Sequence, residues 1–213
     1  MSTNNGAVPV DEAGRMLPGV LRVLFVCTGN ICRSPIAEHL MRDSLHWRVG
    51  ADARWVQVAS AGTSALVGQP MESEAAATLA GLGVRGAESF RARQVTEAMI
   101  HDADIVLTAE RSHRAVVVDL VPSVVRRAFT LLEFDRLLAA VAPDNLPSGT
   151  PRERGLALAH AATAMRGLIP YAEPEDDDIV DPYRRPRIEF ERVAAEVGRS
   201  LTRPLDLLTG ARP

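Results

Sequence analysis

No lysine occurs among the 213 residues, so all 24 basic residues are arginine. That absence excludes G-x-x-x-x-G-K-[ST], the phosphate loop of nucleoside-triphosphate enzymes, in its usual form. The 24 arginines nearly balance 27 acids, leaving a net charge of −3, and nothing in that balance suggests a protein that coats nucleic acid. Long apolar runs are missing too. Stretches such as Ala115 to Val118 fall far short of the roughly 18 residues a membrane span needs, so a soluble chain is expected. Residues 1–19 lack the basic region and apolar stretch of a secretory signal and read as a flexible leader. Cysteine is scarce. Cys27 and Cys32 stand five positions apart, where a disulfide would close too small a loop to staple a fold of this size. A reducing cytoplasm and a chemical role for at least one thiol are expected instead. His39, His46, His101, His113 and His160 are not spaced with the cysteines as zinc ligands and read as surface or capping residues, so no metal is implied. Aromatics make up only 4% of the chain, and Trp47 and Trp55, flanking a strand, read as packing residues.

With 46% hydrophobic and 24% charged residues, the chain is long enough to bury one substantial core, expected as a single domain over residues 20–209. Val20 to Val26 reads as a buried strand, followed at once by a helix with Ser34 as N-cap, Pro35 in its first position, and a stripe of Ile36, Leu40, Met41 and Leu45. Trp55 to Ala59, Asp104 to Thr108 and Arg127 to Leu131 read as further strands. Met71 to Leu82, Thr96 to His101 and Ser112 to Val121 read as helices. This alternation predicts a three-layer α/β/α domain with a four-stranded parallel sheet. Pro143 to Pro151 is a loop rich in proline and glycine, and it opens a helical insertion over about 143–170 whose helix runs from Arg152 to Leu168. That insertion either caps the site, binds a partner, or is a passive surface element. An acidic loop follows, and a last helix runs from about Arg187 to Leu201. Gly81 to Gly86 fits G-x-G-x-x-G, but it follows a helical stretch instead of a strand and reads as a helix C-cap and turn.

The chemistry concentrates at Cys27-Thr-Gly-Asn-Ile-Cys-Arg33-Ser34-Pro35. A strand end, a glycine-containing loop and a helix start direct successive N–H groups of Thr28, Gly29, Asn30, Ile31, Cys32 and Arg33 toward one point at the positive end of a helix dipole. That point suits a phosphate dianion. The same groups favour the thiolate of Cys27, and Arg33 can grip two phosphoryl oxygens with its planar fork. A thiolate displacing an alkoxide or phenoxide also needs an acid for the leaving group and then a base for water, and one carboxyl can serve both. Asp176, Asp177, Asp178 and Asp181 are the candidates. Asp181 is the most constrained, because Pro182 restricts the residue before it. The run from Glu173 to Asp178 reads as a solvated loop.

The chain resembles the low-molecular-weight protein-tyrosine-phosphatase family. The likeness rests on VLFVCTGNICRSPIAE at Val23 to Glu38, SAGT at Ser60 to Thr63, GQP at Gly68 to Pro70, ARQVT at Ala92 to Thr96, ADIVL at Ala103 to Leu107 and DPY at Asp181 to Tyr183. The resemblance implies hydrolysis of phosphotyrosine in proteins, or of small phosphomonoesters, through a cysteinyl-phosphate and without a cofactor. It makes Cys27 the nucleophile, Arg33 the phosphate clamp and Asp181 the general acid and base. Asn30 would hold the loop, Ser34 would donate to Cys27, Ser60 would support the loop from behind, and Cys32 would form a reversible disulfide with Cys27 under oxidation. Tyr183 and Leu66 would border the substrate. Leu66 stands where many members have an aromatic, Arg184 replaces the second aromatic after DPY, and Phe90 replaces a histidine that supports the loop asparagine in some members. Three other functions share these features. One is arsenate reduction coupled to a free thiol, since two cysteines are too few for a thioredoxin relay. Another is phosphoarginine hydrolysis, whose enzymes carry threonine where this chain has Ile31. The last is binding of phosphorylated partners without turnover.

Overall fold

The computed structural model describes Pro9, Leu17, residues 19–170 and residues 172–210. The expected leader, residues 1–19, therefore lies outside the described residues apart from Pro9, Leu17 and Gly19.

Four parallel strands form one sheet: β1 (Leu21–Cys27), β2 (Val56–Gly62), β3 (Ile105–Thr108) and β4 (Ala128–Thr130), in the order β2-β1-β3-β4. Alternate residues of β1 enter opposite layers. Leu21, Val23, Phe25 and Cys27 join one apolar core, and Leu24 and Val26 join the other. Both faces are covered, as a parallel sheet demands. The helices α1 (Arg33–Val49), α2 (Ser73–Gly81), α5 (Leu131–Leu138) and α7 (Arg187–Thr209) close the first core. Ile100 of α3 (Glu97–Asp102) and Val117 of α4 (Arg111–Leu120) close the second.

The differences from expectation have local causes. β2 extends through Ser60-Ala-Gly because Ser60, Ala61 and Gly62 stay in register with Phe25, Val26 and Cys27. α7 runs past Leu201 to Thr209 despite Pro204, because Leu201, Leu205 and Leu208 continue one buried stripe and outweigh the lost N–H. The N-cap of α1 is Cys32, not Ser34, whose hydroxyl turns inward instead. Trp47 is 80% exposed and packs on nothing substantial. His39 is buried, bonded to the Pro35 carbonyl and edge-on to Phe90, so it is not a surface residue.

The helical insertion does not cap the loop after β1. Its helix, α6 (Pro151–Met165), crosses the opposite end of the sheet, where the strands begin. A Cβ on Gly155 would lie 2.3 Å from a Leu21 methyl, so glycine lets the helix lie directly on the start of β1. Arg152 pairs with Asp104 just before β3 at 3.0 Å, and Arg166 donates to the Ala128 carbonyl of β4 at 2.7 Å. Arg154 donates to the Leu207 and Leu208 carbonyls, which the end of α7 leaves without helical partners. Seven residues of β1 separate α6 from the loop, about 20 Å at roughly 3.3 Å per residue.

Candidate active site

The order β2-β1-β3 reverses direction between β1 and β3, and in open parallel sheets a crevice forms beyond the strand ends at such a point. Cys27 ends β1 there. The loop over residues 28–32 turns straight into α1, whose first residue is Arg33. Gly62 of β2 makes room for it. A Cβ at Gly62 would lie 2.3 Å from the Thr28 carbonyl oxygen, so no side chain fits.

Asn30 holds the loop shape. Its backbone is left-handed at φ 55, a conformation that asparagine tolerates better than most residues. Its side chain is fully buried and saturated: Nδ2 donates to Ser34 Oγ and Ser60 Oγ at 2.9 Å each, and Oδ1 accepts from the Arg93 N–H at 2.9 Å. Ser60 Oγ in turn donates to Glu38 Oε2 at 2.5 Å, and Glu38 is buried with Arg42 at 2.7 Å. Ser34 Oγ stands 2.9 Å from Cys27 Sγ. The support that Phe90 cannot give to Asn30 thus comes from Ser60 and the Arg93 backbone.

The Arg33 guanidinium is 2% exposed and held on both terminal nitrogens. One nitrogen pairs with Glu110 and donates to the Ile179 carbonyl at 3.0 Å. The other donates to Thr28 Oγ1 at 3.2 Å and to Asp181 Oδ2 at 2.9 Å. Its Nε is buried without a partner among the described residues. Thr28 Oγ1 also meets His113 Nε2 at 2.8 Å.

The electrostatics are local. Burial alone would raise the Glu110 carboxyl, but the hydrogen bond and charge of Arg33, with the Ser112 hydroxyl, outweigh it and hold the group below its ordinary value. His113 is pushed down by burial, and Arg33 adds to the effect against the opposing pull of Glu110 and Asp181. The Cys32 thiol is pushed far up, first by burial and then by the Asp181 and Cys27 charges. Both cysteines are free and buried.

Of the four carboxylates expected as candidates for the acid, only Asp181 reaches this cluster. Asp177 is not solvated. It is buried between Arg111 at 3.0 Å and Arg136 at 2.9 Å. Asp178 accepts the Arg111 N–H at the start of α4 at 2.8 Å, and Asp176 is exposed. Leu66 (46% exposed) is tied to the loop by its N–H on the Gly29 carbonyl at 3.0 Å, and Tyr183 (43% exposed) by its N–H on Asp181 Oδ1 at 3.2 Å. The arrangement sets the Cys27 thiol, a pinned guanidinium and the half-exposed Asp181 carboxylate around one helix N-terminus.

Sequence reading missed Glu38, Glu110 and His113. The signal for the last two was the end of β3, which borders the same reversal of strand order as Cys27.

Residues 22–144 match the family model described as low molecular weight phosphotyrosine protein phosphatase. The chain belongs to that family. It is 40% identical over 102 residues to the low molecular weight protein-tyrosine-phosphatase Etp of Escherichia coli K12, a match covering 48% of this chain and 63% of that protein. The matched region thus spans under two thirds of that relative's length. Among solved structures, the low molecular weight protein tyrosine phosphatase of T. tengcongensis is similar with a TM-score of 0.63 and 27% identity, over 87% of this chain and 98% of that one. The YwlE arginine phosphatase of Geobacillus stearothermophilus is similar with a TM-score of 0.62 and 27% identity, over 87% and 91%. Relatives of this chain thus carry names from both the tyrosine and the arginine branch.

Proposed function

We propose that this chain is a protein-tyrosine phosphatase that hydrolyses phosphotyrosine monoesters through a cysteinyl-phosphate. The observation that carries the reading is that one loop brings together Cys27 Sγ, 2.9 Å from the Ser34 hydroxyl, and Arg33, whose guanidinium reaches Asp181 at 2.9 Å. In the first step the Cys27 thiolate attacks phosphorus, the P–O bond to the tyrosine oxygen breaks, and Asp181 gives that oxygen its proton. In the second step Asp181 takes a proton from water as the water oxygen attacks phosphorus. The S–P bond then breaks, releasing phosphate and the thiolate. The N–H groups of Thr28, Gly29, Asn30, Ile31 and Cys32 hold the phosphoryl oxygens throughout, and Arg33 follows their charge into the transition state. Asp181 occupies an Arg33 nitrogen that a phosphoryl oxygen would take, so substrate frees the carboxyl to face the leaving oxygen. Two unpaired thiols fit a reducing cytoplasm.

Hydrolysis of p-nitrophenyl phosphate and of a phosphotyrosine peptide in chelator, by wild type and Cys27→Ser, tests this reading. Turnover that vanishes in the variant is expected. No turnover by folded, reduced wild type overturns it, and adding arsenate with a free thiol then separates a reductase from a phosphate-binding module. A phosphoarginine peptide in the same assay addresses the arginine branch, against which the bulk of Ile31 in the loop argues.

A further inference from the structure

On the phosphatase reading above, we infer that Arg184 and Arg185 form a basic rim that selects phosphotyrosines flanked by acidic residues. Both follow Tyr183 in a loop whose place at the mouth is set from inside, since Asp181 accepts the Tyr183 N–H at 3.2 Å through one oxygen and meets Arg33 at 2.9 Å through the other. The Arg185 N–H then closes back on the Pro182 carbonyl at 2.9 Å, making a four-residue turn. Arg184 is its third residue and has φ 60. Glycine or asparagine ordinarily fills that slot, so a long cationic side chain sits there at a conformational cost. The turn folds the Arg184 guanidinium over the Tyr183 ring, 5.2 Å from its centroid, on an exposed surface.

These two charges differ from most others near the site. Arg33 is matched by Glu110 and Asp181, Arg111 and Arg136 share Asp177, and Arg187 pairs with Glu191. Among the described residues, neither Arg184 nor Arg185 has a carboxylate partner. The exposed side chains on the neighbouring loop, Ser64, Leu66, Val67, Gln69 and Pro70, carry no charge. Arg93 also lacks a carboxylate partner among the described residues, but its Nε donates to the Ser60 carbonyl at 2.7 Å, so charge selection on the chain around a bound phosphotyrosine is assigned to Arg184 and Arg185. Contacts to flanking residues are the same before and during phosphoryl transfer, so they act on KM more than on kcat.

The test compares kcat/KM on phosphotyrosine peptides with Asp/Glu, Ala/Ser or Arg flanks, alongside p-nitrophenyl phosphate, for wild type and for the R184Q/R185Q and R184E/R185E variants. Wild type should favour the acidic peptide over the neutral one by about tenfold at low ionic strength, through KM. The preference should collapse near 1 M salt, where the Debye length is about 3 Å. R184Q/R185Q should treat the peptides alike, and R184E/R185E should favour the Arg-flanked one. Failure of wild type to hydrolyse p-nitrophenyl phosphate overturns the phosphatase reading and this inference with it. Hydrolysis of p-nitrophenyl phosphate with equal use of the three peptides, or a full acidic preference retained in R184Q/R185Q, overturns this inference alone.

Discussion

Glu38 accepts the Ser60 hydroxyl proton at 2.5 Å, and that bond sets the direction of the chain leading to the sulfur of Cys27. With its proton committed to Glu38, Ser60 Oγ accepts from Asn30, and the same Asn30 amide donates to Ser34. Ser34 then keeps its own proton for Cys27 Sγ at 2.9 Å, closer than the competing Ala61 carbonyl at 3.3 Å. Replacing Glu38 by Gln offers Ser60 an amide that also donates, which scrambles the order. Glu38→Gln should lower kcat on p-nitrophenyl phosphate about tenfold with little change in KM, and cost about 1–3 kcal/mol of stability. Steady-state kinetics and urea unfolding check both numbers, and an unchanged kcat would show that the chain's direction does not matter to the nucleophile.

Glu110 carries the other half of the site. It pairs with one terminal nitrogen of a guanidinium that is 2% exposed, and the Ile179 carbonyl accepts from the same nitrogen at 3.0 Å. Only the other terminal nitrogen meets Asp181, so Glu110 orients the fork without competing for phosphate. Glu110→Gln keeps a hydrogen bond and loses the charge. It should weaken vanadate inhibition and raise KM for p-nitrophenyl phosphate, each about tenfold, because the guanidinium is no longer pinned. Glu110→Ala should be worse on both, and equal constants in all three proteins would remove Glu110 from the positioning of Arg33.

Much of this was legible in the sequence and some was not, for physical reasons. Cys27 and Arg33 lie in one contiguous loop between an apolar run and a helix, so local rules reach them. Glu110 and His113 lie 77 and 85 residues from their partners Arg33 and Thr28, and only the strand order brings them together. Glu38 lies in the first helix among polar positions that read as surface. The helix α5 follows β4 with no glycine or proline between, so no turn announces it. Its signal was the Thr130 and Glu133 pair, which forms a capping box. Asp177 belongs to an acidic run whose composition says solvent, while Arg111 and Arg136 arrive from distant helices to bury it.

His113 gives the site a pH-dependent stability. Its folded pKa lies below the ordinary 6.5, so on acidification the unfolded chain takes up the proton first. Stability is therefore full above about pH 6.5 and declines as pH falls toward the depressed folded value. Glu110 acts in the same sense, its contribution being lost only as pH falls below its ordinary 4.5. Urea unfolding of wild type should show a steeper loss of stability between about pH 7 and pH 5.5 than that of His113→Gln. Parallel curves would mean that His113 does not titrate differently in the two states.

The contact of α6 with β1 sets stability at a distance from the chemistry. Gly155→Val places a side chain where even a Cβ would lie 2.3 Å from a Leu21 methyl, so helix or strand must shift. The cost should be about 1–3 kcal/mol, read as a lower melting temperature. Gly155 sits at the start of β1 and Cys27 at its end, so kcat/KM of the folded protein should stay within about twofold. A large loss of activity at temperatures where the variant is folded would mean that the insertion reaches the site by a route the packing does not reveal.

Cys32 should protect Cys27 against peroxide. Both thiols are free and buried, and the Cys27 charge contributes to the upward shift of Cys32, which places the two sulfurs in one electrostatic environment. Peroxide converts the Cys27 thiolate to a sulfenic acid with loss of hydroxide. The Cys32 sulfur then displaces the sulfenic oxygen as water, forming a disulfide that an added dithiol reduces. Burial keeps Cys32 as a thiol at neutral pH, so this closure should be slow there and accelerate as pH rises. Wild type exposed to peroxide should regain most of its activity with dithiothreitol, while Cys32→Ser should pass on to sulfinic acid and regain little. Mass spectrometry should find a loss of two hydrogen atoms in the wild type and an added pair of oxygens in the variant. Full recovery of Cys32→Ser would remove the protective role.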